Sequence, residues 1–271
     1  MTPNVDHFIE IGSQHKICED YILSGRFPIP HIILSDGCSS SDQTEMGARF
    51  LCHLAKQYIC QRYEFGVSEI DYNTMGLWII HNAEMIARQM GLKKSCLDAT
   101  LSIALFDGDA KEVVVFLYGD GYIFSKKDGA LRYISIEYSN NAPYYLSYKV
   151  DPFRDDLYGQ MKNDQIEKFA IHKDNIVSDE YAYDHRPVYH FHSGDFDQVF
   201  IASDGIASFI QDSFPEPFDI FEIAPKFFNF KNTKGEFLKR RCGKETRILK
   251  SKNINHYDDL SIGGFLLKEE L

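Results

Sequence analysis

HIILSDGCSSSDQTEMGARFL, residues 31–51, decides how this chain is read. An apolar run, His31-Ile32-Ile33-Leu34, halts at Ser35-Asp36-Gly37, and a helical pattern follows. The run is too uniformly apolar for a surface hairpin, which predicts a strand covered on both faces. Asp36 closes that strand. A carboxylate left unpaired in a core is costly, so Asp36 marks a cleft where a charge or a metal is held, provided the rest of the chain supplies partners. Downstream, Asp42-Gln43-Thr44-Glu45 reads as a capping box. Met46, Phe50, Leu51, Leu54, Ala55, Tyr58 and Ile59 then recur at helical spacing and form one buried face.

Working outward, strands are expected over residues 7–11 and 20–24, separated by a polar loop that ends in Glu19 and Asp20. A second helix is expected from about 73 to 90, with Met75, Trp78, Ile79, Ala83, Ile86 and Met90 on one face and Gly91 to end it. Strands at 99–106, 112–118, 122–126 and 131–136 are joined through Asp107-Gly108, Gly119-Asp120-Gly121 and Asp128-Gly129, the signature of an antiparallel meander. From Tyr138 to about Asp197 the pattern weakens into a stretch rich in Tyr, Asp and Asn. Its length implies an irregular insertion or flap with a function of its own. A buried strand returns at 199–202, helices follow near 218–228 and 233–250, and a last strand covers 260–267. The 271 residues read as one domain, 1–271.

The net charge of −11 argues against binding nucleic acid or an anionic membrane surface. It suits a site that gathers carboxylates around cations. None of the six cysteines forms a C-x-x-C pair, so neither a zinc site nor a redox motif is signalled. Reduced thiols, the absence of a signal-peptide pattern in MTPNVDHFIE and the absence of a long apolar run predict a cytoplasmic protein without a membrane span.

Two segments share one grammar: IILSDG at 32–37 and FIASDG at 200–205. In each a buried strand ends in Ser-Asp-Gly. Asp20 and Asp258 stand at the starts of apolar strands. If these strands lie side by side, Asp20, Asp36, Asp204 and Asp258 meet at one edge. Like charges are not gathered there without cations, and an all-oxygen ligand set selects hard ions such as Mg²⁺ or Mn²⁺. Glycine after the aspartate lets a carbonyl and waters approach an ion. Asp-Gly alone carries little, since it occurs five times. Asp107 and Asp128 read as turn chemistry only, and Asp120 is intermediate.

In order along the chain, GSQHKICEDYIL (12–23), ILSDGCSSS (33–41), DATLSIAL (98–105), FLYGDGYIF (116–124), FIASDG (200–205) and YDDLSIGGFLL (257–267) resemble the metal-dependent type 2C Ser/Thr protein phosphatases, in particular their bacterial branch. The resemblance implies an α+β fold, a four-layer α-β-β-α sandwich with two mainly antiparallel sheets flanked by helices. It implies hydrolysis of phosphoserine and phosphothreonine in phosphoprotein substrates by a water held between two Mg²⁺ or Mn²⁺ ions, and a cognate Ser/Thr kinase as counterpart. Carried over by position, Asp36 is the bridging ligand and the Gly37 carbonyl a second ligand. Asp204 and Asp258 complete the pair, and Asp20 contacts metal-bound water. Asp120 matches the ligand of a third, weaker ion in some members. Asp36, Asp20 and Asp204 are the expected catalytic residues. Asp259 stands where many members have Asn, so the ligand role falls to Asp258.

There are two departures from the family pattern. Where eukaryotic members carry a phosphate-gripping Arg, this chain has His15 beside Lys16. Either supplies positive charge, but neither offers the bidentate fork of Arg. Where those members carry a His proposed as general acid, this chain has Cys38. These departures motivate an alternative reading, a catalytically weak or inactive phosphatase-like module that binds a partner. A third reading takes His190-x-His192 as a metallohydrolase site, although the pattern reads more simply as two residues on one face of a strand.

Overall fold

The computed structural model describes residues 2–64, 66, 70–171, 176–182 (backbone only), 187–211 and 216–268. In chain order the strands are β1 (Asn4–Glu10), β2 (Tyr21–Gly25), β3 (His31–Ser35), β4 (Leu101–Asp107), β5 (Glu112–Tyr118), β6 (Gly121–Lys127) and β7 (Ala130–Tyr138), then β8 (Gln165–Ile171), β9 (Ile176–Ala182), β10 (Val188–His192), β11 (Gln198–Ala202), β12 (Phe209–Gln211), β13 (Ile254–His256) and β14 (Leu260–Leu266). The helices are α1 (Thr44–Glu64), α2 (Tyr72–Gln89), α3 (Pro152–Gln160), α4 (Ile220–Phe227) and α5 (Phe237–Lys250). A seven-stranded sheet runs β1-β14-β11-β6-β7-β8-β9, a five-stranded sheet runs β10-β5-β4-β3-β2, and β12 pairs with β13. Every pairing within the two large sheets is antiparallel.

Three apolar clusters stack these parts into four layers. Between the sheets lie Ile22, Ile32, Leu34, Val113 and Val115 from one side and Ile123, Ile136, Val199, Ile201 and Phe265 from the other. The opposite face of the five-stranded sheet, with Ile33, Leu101 and Ile103, is covered by α1 and α2 through Leu51, Ile59, Met75 and Ile79. The outer face of the seven-stranded sheet, with Phe124, Phe200 and Ile262, is covered by α4 and α5 through Ile223, Phe227, Leu238 and Cys242. All five residues of β3 are buried, as its unbroken apolar run predicts: Ile33 faces the helices while Ile32 and Leu34 face the other sheet. Both faces of β14 are packed tightly because Gly263, toward the other sheet, and Gly264, toward the helices, carry no side chain. A Cβ at Gly263 would meet Ile32 Cγ2 at 2.2 Å, and one at Gly264 would meet Phe200 Cδ1 at 2.1 Å.

The structure departs from expectation in two places. The capping box at Asp42 does not form. Helix α1 begins at Thr44, Gln43 has a φ of 62°, and Asp42 pairs with Lys93 instead. Thr44 turns its hydroxyl to Glu19 Oε1, so a contact distant in sequence overrides a local one. The 138–197 stretch is also more regular than its composition suggests. It contributes α3, extends the seven-stranded sheet with β8 and β9, and closes the edge of the five-stranded sheet with β10. Its alternation is blurred because β8 is half-exposed along most of its length. Residues 172–175 and 183–186 of this stretch lie outside the described residues. Among the described residues no helix is long and apolar enough to cross a membrane.

Candidate active site

Antiparallel order brings the starts and ends of the key strands to one end of the sandwich. In the five-stranded sheet Tyr21 pairs with Ser35, which sets Asp20, just before β2, beside Asp36, just after β3. In the seven-stranded sheet Ala202 pairs with both Ile262 and Tyr122. Asp204 after β11, Asp258 before β14 and Asp120 before β6 therefore gather on the facing side.

The carboxylates sense one another. Burial and then the charges of Asp20, Asp204, Asp258 and Asp120 hold Asp36 well above the usual carboxylate range. Burial does the same to Asp20, reinforced by Asp259 and Asp204 and opposed by hydroxyl donation. Desolvation and the Asp204 charge push Asp120 up to about 8. Asp204 is raised to about 6, by desolvation at the cleft and then by the charge of Asp258, against the opposing influence of Asp36 and His15. Asp36 and Asp204 stand on different sheets, and each lies within the electrostatic reach of the other.

The serines of the two Ser-Asp-Gly elements have structural tasks. Ser35 Oγ donates to the Thr100 carbonyl at 2.6 Å. Ser203 Oγ donates to Asp20 Oδ2 at 2.9 Å and accepts from the Ser261 amide at 3.0 Å, so it ties the two sheets together at the site. The glycines answer to close packing. A Cβ on Gly205 would lie 1.9 Å from the Asp259 carbonyl oxygen, and one on Gly37 would lie 2.9 Å from the Glu19 carbonyl oxygen and Thr44. Gly37 also bridges to Ala99, next to the Thr100 amide that donates to the Asp36 carbonyl at 2.8 Å.

Asp258 and Asp259 divide their labour. Asp259 is buried and accepts from the Gly12 amide at 2.7 Å and the Glu19 amide at 2.6 Å. It closes the loop that carries His15 and Lys16. Asp258, with its side chain 42% exposed, accepts from the Asp259 amide at 2.8 Å and remains open to the cleft. His15 lies between them, its Nε2 3.3 Å from Asp258 Oδ1 and its Nδ1 3.1 Å from Asp259 Oδ2. Burial disfavours charge on His15, but Asp259, Asp258 and Glu19 outweigh it and raise its pKa. Lys16 is exposed. Cys38 Sγ lies 3.0 Å from Ser40 Oγ, and burial and then the nearby Cys38 push the pKa of the buried Tyr145 phenol up.

Sequence reasoning singled out Asp20, Asp36, Asp120, Asp204 and Asp258, and the fold brings these together. It missed Ser203, Tyr145 and the anchoring role of Asp259. The repeated Ser before Asp-Gly was the available signal for Ser203. Tyr145 lies in the weakly patterned stretch, where nothing local marked it.

The donor set fits a hard divalent ion. It is all oxygen, and Asp20 Oδ1 is buried without a donor, the state of a ligand oxygen that lacks its cation. Among the described residues no group of three or more His, Cys, Asp or Glu side chains already stands disposed to hold a metal ion. Loading therefore entails side-chain adjustment.

The sequence model of the family described as Protein phosphatase 2C matches residues 12–241. No curated protein matches the chain. Among solved structures, the chain is similar to the serine/threonine phosphatase Stp1 from Staphylococcus aureus, with 13% identity, a TM-score of 0.55 and coverage of 99% of this chain and 96% of that one. It is similar to the serine/threonine phosphatase PstP/Ppp of Mycobacterium tuberculosis, with 12% identity, a TM-score of 0.56 and coverage of 99% and 100%. A Caenorhabditis elegans sex-determining protein matches with 14% identity and a TM-score of 0.55, covering 99% of this chain and 65% of that one. At such identities the likeness concerns the fold.

Proposed function

The chain belongs to the protein phosphatase 2C family, and from that premise we propose that it hydrolyses phosphoserine and phosphothreonine in proteins at the carboxylate end of its sandwich. The observation that carries the reading is the gathering of Asp20, Asp36, Asp204 and Asp258 from the two sheets into one electrostatic cluster, with Asp20 Oδ1 buried and lacking a donor.

Asp20, Asp36, the Gly37 carbonyl, Asp204 and Asp258 are the groups that would hold two Mg²⁺ or Mn²⁺ ions, with Asp120 available to a third. Such ions, when bound, activate a water and neutralise phosphoryl oxygens. The protein's own part is to position. Ser203 fixes one oxygen of Asp20 and so aims the other. Asp259 anchors the 12–19 loop and holds His15 against Asp258. His15 and the exposed Lys16 supply positive charge at the rim, where a phosphate dianion must enter a strongly acidic surface. Cys38, with the Ser40 hydroxyl beside it, occupies the position of the general acid of other members. The reading includes a phosphoprotein substrate, a cognate Ser/Thr kinase that makes it, and a cytoplasmic site of action.

The experiment is turnover of p-nitrophenyl phosphate and of a phosphothreonine peptide with Mn²⁺, Mg²⁺ or EDTA. Hydrolysis in either metal that stops in EDTA supports the reading. Metal uptake in calorimetry without turnover of either substrate would replace it with that of a phosphatase-like binding module.

A further inference from the structure

The His190-x-His192 pattern lies far from the carboxylate end, and the fold gives it a third member. Among the described residues strand β10 lies at the edge of its sheet and pairs with β5, and in that register His192 faces Glu112 while His190 faces Val114. Alternation along a strand puts residues 188, 190 and 192 on one face. Val188 and Val114 pack on the helix-covered side, whereas Phe191 and Val113 enter the layer between the sheets. The two imidazoles and the Glu112 carboxylate therefore share the helix-side face, at an end where both imidazoles stay more than half exposed, at 53% and 61%.

His190 Nδ1 is 3.0 Å from Glu112 Oε1, and His192 Nδ1 is 3.3 Å from Glu112 Oε2. We infer that His190, His192 and Glu112 form a second metal site, one for Zn²⁺ or a similar transition-metal ion, separate from the carboxylate cluster. Neighbouring ligands around an ion with bonds of roughly 2.0–2.1 Å sit about 3.0–3.4 Å apart, and each imidazole already stands at that separation from a Glu112 oxygen. Two imidazoles with one carboxylate form a donor set that suits Zn²⁺, while the all-oxygen cluster suits Mg²⁺. Glu112 is only 13% exposed, so its side chain is already held in place, and the exposed imidazoles are the parts that move. At present they grip different oxygens of Glu112 rather than one shared point. An entering ion replaces that grip and leaves its remaining positions to water.

Glu112 and Tyr118 are the two ends of β5, about 20 Å apart at ~3.4 Å per residue. Asp120 lies beyond the Tyr118 end, so the site takes no part in phosphoryl chemistry. Its effect is to clamp the edge strand β10 to β5, and an ion bound only by the folded chain raises its stability.

The test is equilibrium binding of Zn²⁺, with Co²⁺ as a coloured stand-in, to the full chain in excess Mg²⁺. Expected is one Zn²⁺ per chain that is retained in Asp36→Asn. It should be weakened in Glu112→Gln and reduced on the order of a hundredfold or more in His190→Ala/His192→Ala, at least as much as the loss of a supporting contact costs a metal site. The metal-free double variant should stay folded and melt somewhat below the metal-free wild type, since Glu112 loses both imidazole partners, so binding is compared at a temperature where both are folded. Equal Zn²⁺ binding by wild type and double variant, loss of the site in Asp36→Asn, or no Zn²⁺ binding in excess Mg²⁺ would overturn the inference.

Discussion

Ser203 Oγ donates to Asp20 Oδ2 at 2.9 Å, joining a residue just past the end of one sheet to a residue just before the start of the other. Both are buried, and the same hydroxyl accepts from the Ser261 amide. Ser203→Ala removes a donor and an acceptor at once. It should lower stability by about 1–3 kcal/mol, the cost of a buried group left unsatisfied, as read by denaturant unfolding at pH 7. It should also weaken Mn²⁺ binding, because Asp20 is no longer aimed. A variant as stable as the wild type would show that the hydroxyl does not hold the sheets together.

The neighbours Asp258 and Asp259 make a sharper comparison. In Asp259→Asn an amide replaces one of two oxygens that accept backbone N–H groups from Gly12 and Glu19. A donor then faces a donor, and a loss of about 1–3 kcal/mol is expected. Asp258→Asn touches an open side chain and should melt near the wild type while losing metal-dependent turnover. Thermal melts and initial rates on both variants separate anchoring from ligation. The opposite pattern would exchange the two roles.

Gly205 offers a steric test. With a Cβ placed 1.9 Å from the Asp259 carbonyl oxygen, Gly205→Ala must displace backbone at the site. Overpacking of this kind costs typically about 1–3 kcal/mol. Gly108, whose Cβ would meet nothing within 4 Å, should accept alanine with far less loss. Paired denaturant curves check the difference.

Glu10 carries a pH dependence away from the cleft. Burial alone would raise its pKa, but the favourable influence of His256, 3.9 Å away, of the Lys250 ammonium bonded to it and of Thr246 outweighs it and lowers the pKa to about 2. A carboxylate whose pKa is depressed on folding stabilises above the unfolded value of 4.5, and that contribution fades as pH falls toward about 2. Glu10→Gln should therefore cost on the order of 1–2 kcal/mol at pH 7, after allowance for screening of the half-exposed Lys250. The gap to the wild type should shrink steadily below pH 4.5. A gap unchanged at pH 3 would contradict the assignment.

Much of the fold was legible because it rests on pattern. The unbroken apolar run of β3, the face of α2 and the Asp-Gly hairpins each encode their surroundings locally, and Asp36 and Asp204 announce themselves by ending buried strands. What was hidden depends on contacts distant in sequence. Asp42 looks like a helix cap, yet Thr44 opens α1 because Glu19 is near. Asp259 looks like a spare acid, yet it anchors Gly12 and Glu19 from 247 and 240 residues away. Residues 138–197 lack alternation because β8 is half-exposed and α3 buries no side chain, so periodicity had little to report. Glu112 carries no mark in sequence that would join it to His190 and His192; only the register of β5 and β10 does so.

The most direct test of the central claim is the rate at which Asp36→Asn hydrolyses a phosphothreonine peptide in Mn²⁺, set beside the wild type under the same conditions. With Asp36 at the end of the buried strand facing Asp204, the account predicts turnover by the wild type and a loss of about a hundred- to a thousandfold in the variant, the scale of removing a group that organises transition-state charge. Wild-type rates in folded Asp36→Asn would contradict it.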